Sequence, residues 1–168
     1  MSGKIGFRHL RIRALTVFSS ALISAFLISW PFENPAAAAD SDPWNSAQTL
    51  QPAGLARELA NTRQARPTVL YVGARTLFNG GHIPGSSFHG TASTETGLAE
   101  LKSWAGTLPR STDLVIYCGC CPFDRCPNIR PAFSTLQDMG FANLRVLILP
   151  TSFAADWAEK GFPVEKAR

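Results

Sequence analysis

The chain has 168 residues, with 16 Lys+Arg against 12 Asp+Glu and a formal net charge of +4. Lys4, Arg8, Arg11 and Arg13 supply four of those cations and Glu33 one of the acids, so from Asp40 onward the balance is 12 against 11. That near-neutral body excludes nucleic-acid or polyanion binding driven by bulk charge, and its size suits one domain whose core needs no disulfides.

The four early cations precede the apolar run ALTVFSSALISAFLISW, and Ala37-Ala38-Ala39 follows before Asp40. A basic region, an apolar region and an A-x-A site form the pattern of a secretory signal peptide. No Arg-Arg pair calls for twin-arginine export, and no cysteine follows the run to accept a lipid. The run is about 17 residues and rich in Ser and Ala, short for crossing a bilayer core of about 30 Å. Residues 1–39 are therefore expected to be a cleaved signal peptide and 40–168 the mature domain. The expected product is periplasmic or secreted, free of the membrane after cleavage, and monomeric.

From Asp40 to Ala47 the chain reads as a short polar lead-in. Pro52 to Ala60 predicts a helix, with Leu55 and Leu59 on one face and a proline suited to the first turn. TVLYV (68–72) predicts a strand. Residues 73–93 are rich in Gly, Ser and Thr and predict a long loop with one minor strand. Thr94 to Trp104 predicts a helix that aligns Leu98, Leu101 and Trp104, with Gly106 as its stop. DLVIY (113–117) and NLRVLIL (143–149) predict two more strands, separated by a helix over 127–139 that Gly140 ends. A last helix is predicted over 153–160. The strands are continuously apolar, as parallel strands covered on both faces are. Alternation with helices then predicts right-handed βαβ crossovers and an α/β, open, mostly parallel sheet with helices on both faces.

Every cysteine in the chain lies in the nine residues CGCCPFDRC, at Cys118, Cys120, Cys121 and Cys126. A structural disulfide framework spreads its cysteines, so this crowding points to local chemistry. The run begins where the 113–117 strand ends and stops where a helix starts, outside the carboxyl end of a strand, where open α/β sheets place their ligands. Loop N–H groups and a helix N-terminus there favour an anion and lower a thiol pKa. Three uses stay open: thiol or sulfur chemistry, pairwise disulfides of an exported protein, and a soft-metal site for Cu(I) or zinc. Pro122 and Pro127 stiffen the loop. A phosphatase Cys-x5-Arg loop is excluded, because Arg125 and Arg130 would need cysteines where Gly119 and Asp124 stand.

Four segments carry a resemblance to the rhodanese-like (sulfurtransferase) domain family. GHIPGS (81–86) matches a family signature, VIYC (115–118) is similar to the strand that delivers its catalytic cysteine, and LQDMGFANLRVL (136–147) and WAEKGFPVE (157–165) resemble its closing passages. The resemblance implies a single rhodanese-like domain over 40–168. It implies a nucleophilic Cys118 that takes sulfane sulfur from a small anionic donor such as thiosulfate as a persulfide, and passes it to a thiol acceptor or a reductant protein. It requires no cofactor and no metal. Gly119, Cys120, Cys121, Arg125 and Arg75 are the implied substrate-binding residues, while His82, Gly85 and Trp157 are implied to be structural. Cys120 is a rival nucleophile, because Cys120-x4-Arg125 keeps the family spacing that Cys118 does not. The acidic residue usual after the first family strand is replaced by Tyr71 or Gly73, and Ser152-Phe153 stands where the family has Gly-Gly. Cys121 or Cys126 is expected to serve as a resolving thiol, Cys121 by its Cys118-x-x-Cys121 spacing. Cys118, at the strand end, is expected to have the most depressed pKa.

Overall fold

The computed structural model describes residues 42–167, so the expected signal peptide lies outside the described residues. Its elements run β1 (Thr49–Leu50), α1 (Pro52–Ala60), β2 (Thr68–Tyr71), α2 (Arg75–Gly80), β3 (Ser87–Phe88), α3 (Glu95–Ala105), β4 (Asp113–Tyr117), α4 (Ile129–Asp138) and β5 (Asn143–Leu147). A π-helical turn at Ala154–Ala158 closes the fold. The five strands form one parallel sheet in the order β1-β5-β4-β2-β3.

β4 occupies the centre because Leu114 to Tyr117 are apolar on both faces. Leu114 and Ile116 face the cluster containing Leu101 of α3 and Phe133 and Leu136 of α4. Val115 and Tyr117 face the other, with Leu55 of α1, Ile83 and Trp157. Helices thus cover both faces, which is why β4 is apolar at four successive positions rather than at alternate ones. Thr94 caps α3 by accepting the Gly97 N–H at 3.0 Å, and Pro52 starts α1.

Three features depart from the expected elements. The polar lead-in is ordered: Trp44 packs against Phe123 and Phe133, and Arg130 fixes Asp42 at 2.7 Å. Residues 73–93 contain the short helix α2 besides the strand β3. The last helix is a single wide turn rather than a run from 153 to 160.

The GHIPGS segment is tied down from two sides. The Tyr117 hydroxyl accepts the Ile83 N–H at 3.0 Å and lies 3.1 Å from Ser86 Oγ. His82 pairs with Glu165 through backbone bonds of 2.8 and 2.9 Å, and its Nδ1–H donates to the Phe78 carbonyl at 2.8 Å. Gly85 turns with φ +75°, a left-handed conformation that suits glycine. Trp157 is wholly buried and donates its indole N–H to the Pro163 carbonyl at 2.8 Å. Replacing it removes the largest buried side chain and orphans that carbonyl. The Trp157→Ala variant is expected to lose about 3–5 kcal/mol, read as a fall in urea midpoint; a loss below about 1 kcal/mol would show this face to be loosely packed.

Candidate functional site

Cys118 follows β4 directly and is buried, at 2 % exposure. The chain reverses at once through Gly119, φ +73°, where a side chain would press within 2.7 Å of Phe153. This turn brings Cys120 back beside Cys118, with their sulfurs 3.2 Å apart. Cys121 Sγ lies 3.2 Å from that of Cys120. The loop then passes through a single 3-10 turn at Phe123–Arg125 and returns Cys126, 4 % exposed, to the same place. The sulfurs of Cys118, Cys120 and Cys126 all lie within 4.8 Å of one another. All four cysteines are free thiols.

Asn128, itself buried, completes the cluster. Its Oδ1 accepts the Ser93 N–H at 2.9 Å, which fixes the amide so that its NH2 faces Cys118 Sγ at 3.6 Å and Cys120 Sγ at 3.7 Å. The residue stands at the N-cap of α4, a place asparagine usually occupies to cap the helix, yet its side chain makes no cap bond.

These contacts divide the charge unequally. The Cys118 thiol donates to Cys120 Sγ. The Cys118 sulfur close by, then the backbone N–H groups of Asn128 and Ile129 at the start of α4, hold Cys126 at about 5, far below an ordinary thiol. The neighbouring Cys126 sulfur and then burial push the Cys118 thiol up. Desolvation and the Cys120 thiol push Cys121 up as well. The expectation that Cys118 is the most acidic thiol is thus corrected. The helix N-terminus lies against Cys126 instead, and charge there is stabilised by N–H groups that Cys118 does not reach.

A cavity of about 460 Å³ opens over this cluster at the carboxyl ends of β2 and β4. Cys118, Gly119 and Cys120 line it together with Tyr71, Phe153 and Lys166. The buried Tyr71 hydroxyl has no hydrogen-bond partner. A side chain at Gly73 would collide with this hydroxyl and with Cys118 Sγ, so that position has room for hydrogen only. Burial, then the nearby sulfurs, push Tyr71 well above the ordinary tyrosine range, so it remains a donor. A larger cavity, about 600 Å³, opens at the opposite end of the sheet. Its charged residues are paired with one another: Arg145 binds Glu58 at 2.9 Å and Asp113 at 2.8 Å, which makes it a structural ion-pair site.

The two arginines expected at the site are elsewhere. Arg125 projects from the 3-10 turn with 78 % of its side chain exposed, since the longer loop carries it outward. Arg75, on α2, lies over the Phe88 ring at 4.3 Å. Cys121 borders the cluster but falls outside the convergent group of three. Tyr71, Asn128, Phe153 and Lys166 were not foreseen. Tyr71 and Phe153 stood out in the sequence only as departures from family motifs, and Asn128 only as a cap-type residue right after Cys-Pro.

The described chain has the rhodanese-like fold. It is similar to the rhodanese-like domain of the Alr3790 protein from Anabaena sp., at 24 % identity and TM-score 0.53, over 71 % of this chain and 79 % of that one. It is also similar to the BH2092 protein from Bacillus halodurans, at 17 % identity and TM-score 0.55, over 70 % and 76 % of the two chains. An EanB variant in complex with ergothioneine matches at 16 % identity and TM-score 0.52, over 71 % of this chain and 28 % of that one. Neither a protein-family model nor a curated protein matches the sequence.

The unequal charge can be read directly. Thiolate ultraviolet absorbance of the reduced protein is expected to rise in a first step near pH 5, because a lowered pKa leaves the thiolate present above it. Cys126→Ser should remove that step. If Cys118→Ser removes the step and Cys126→Ser leaves it in place, the first thiolate belongs to Cys118.

Proposed function

We propose that this is an exported sulfurtransferase that carries sulfane sulfur on Cys118 as a persulfide, from a small anionic donor to a thiol acceptor. The observation that carries this reading is the place of Cys118. It sits at the carboxyl end of the central strand, with its residue lining a cavity beside an unpartnered tyrosine hydroxyl. The rhodanese-like fold supports a domain of the sulfurtransferase type.

Cys118 is protonated at rest and its sulfur lies within 4.8 Å of that of Cys126, so the reaction starts with a proton shift. Cys126 takes the Cys118 proton as Cys118 Sγ attacks the outer sulfur of thiosulfate. The S–S bond of the donor breaks, sulfite leaves with the bonding pair, and Cys118 holds a persulfide. An incoming thiolate then attacks the terminal sulfur and leaves Cys118 as thiolate, which recovers its proton from Cys126. General-base help of this kind is how weak nucleophiles are activated. The unpartnered Tyr71 hydroxyl, which lines the same cavity, stabilises charge on the sulfur being transferred. Lys166 supplies a cation at the cavity wall for the leaving anion.

Cys126, rather than Cys121, is the thiol in place to resolve the persulfide, since its sulfur lies within 4.8 Å of that of Cys118 while Cys121 falls outside the convergent group. Intact mass of the reduced mature protein after thiosulfate, polysulfide or mercaptopyruvate is expected to show a gain of one sulfur. Cys118→Ser should abolish the gain and Cys120→Ser retain it; the reverse pattern would make Cys120 the nucleophile. Tyr71→Phe removes one hydrogen bond to a charged group, worth about 1.5–3 kcal/mol, and should slow loading roughly ten- to a hundredfold without changing the urea midpoint. No sulfur gain from any of the three donors would sink the reading.

A further inference from the structure

We propose that Cys118, Cys120 and Cys126 also form a three-thiolate binding site for a soft monovalent cation, Cu(I). Their sulfurs lie within 4.8 Å of one another, and the group contains no carboxylate or imidazole. A metal–sulfur bond is about 2.3 Å, so three sulfurs placed trigonally around one ion stand about 4 Å apart. Cys118 and Cys120 start from 3.2 Å and would open by about 0.8 Å, and no sulfur pair of the group exceeds that spacing by more than about 0.8 Å.

The donor set selects the metal. Thiolates alone favour Cu(I) over hard cations, which prefer oxygen. Structural zinc takes four protein ligands, whereas here three converge and Cys121 stays outside the group. Cys118 and Cys126 are buried, while Cys120 borders the cavity through which an ion would enter.

The surroundings answer the remaining electrostatic problem. Three thiolates around a monovalent cation leave excess negative charge, and buried charge is costly without hydrogen bonds. Asn128 supplies them: its NH2 faces Cys118 and Cys120, held there by the Ser93 N–H. The residue forgoes the helix cap expected of its position to do so. Outer-shell groups that orient and polarise ligands in this way are a usual part of metal centres. Gly119 contributes too, since only its left-handed turn folds Cys120 back onto Cys118. The same Cys118 sulfur cannot hold both copper and a persulfide, so copper loading and sulfur loading exclude each other.

The test is an anaerobic competition for Cu(I) between reduced mature protein and bathocuproine disulfonate. One Cu(I) per chain should be retained. Cys118→Ser, Cys120→Ser and Cys126→Ser should each weaken binding at least tenfold, and Cys121→Ser should bind as the unaltered chain does. Copper X-ray absorption on the unaltered chain, which needs no variant to fold, should show three sulfurs at about 2.3 Å. Complete loss of copper to the chelator, a two-sulfur shell, or equal weakening by Cys121→Ser overturns the site. Copper retention is read without any sulfur donor. A chain that binds copper but never gains sulfur therefore overturns the sulfurtransferase reading alone, and the opposite result overturns the copper site alone.

Discussion

The arrangement depends on one constraint: the central strand must stop and reverse within a single residue. β4 is paired on both edges and covered on both faces, so its direction is fixed, and Cys118 is delivered to the end of the sheet with little freedom. Gly119 then turns with positive φ against Phe153 and Leu149, where a side chain has no space. Its carbonyl accepts the Phe153 N–H at 3.0 Å, and Pro150 accepts the Phe123 N–H at 3.2 Å, so the loop is fastened to the segment after β5. A rigid scaffold thus presents a loop whose own positions are locked, the condition under which side-chain geometry can be held closely enough for chemistry.

Much of the scaffold was legible because its physics is local. The three long strands lie where the apolar, β-branched runs predicted them, since burial on both faces favours apolar residues at successive positions in their central stretches. α1 has the predicted limits, Pro52 to Ala60, because proline and an apolar stripe mark it. β1 was not legible. Its two residues, Thr49 and Leu50, are extended because they pair with Val146 and Leu147, a partner almost a hundred residues away. α2 hid in a Gly-rich segment, as six residues without a side-chain cap bond. Trp44 looked like part of a polar tail, and only the ring contacts with Phe123 and Phe133 make it part of the core.

The site divides along the same line. That Cys118 sits over a crevice follows from strand-then-loop order, which spacing reveals. Which thiol ionises first does not follow from it. That depends on which sulfur meets the N–H groups at the start of α4, and the loop's path gives that place to Cys126. Arg125 failed for a related reason. A motif spacing assumes a loop of fixed shape, and two extra residues with a 3-10 turn rotate the side chain into solvent.

Moving the arginine away changes what the cavity can recognise. A guanidinium would bind a carboxylate or sulfonate by a planar pair of hydrogen bonds. In its place the cavity offers single donors, a neutral hydroxyl at Tyr71 and an ammonium at Lys166, among apolar walls such as Leu77 and Phe153. A dianion loses much hydration on entering such a space and recovers it only in part, while an apolar chain with one anionic end loses less. The shift also leaves the sulfurs as the dominant polar atoms of the site, backed by one amide and one helix end. On the function and the copper site proposed above, selectivity follows softness as much as charge, which is why a sulfane sulfur and a thiophilic metal ion are the two kinds of ligand proposed for these residues.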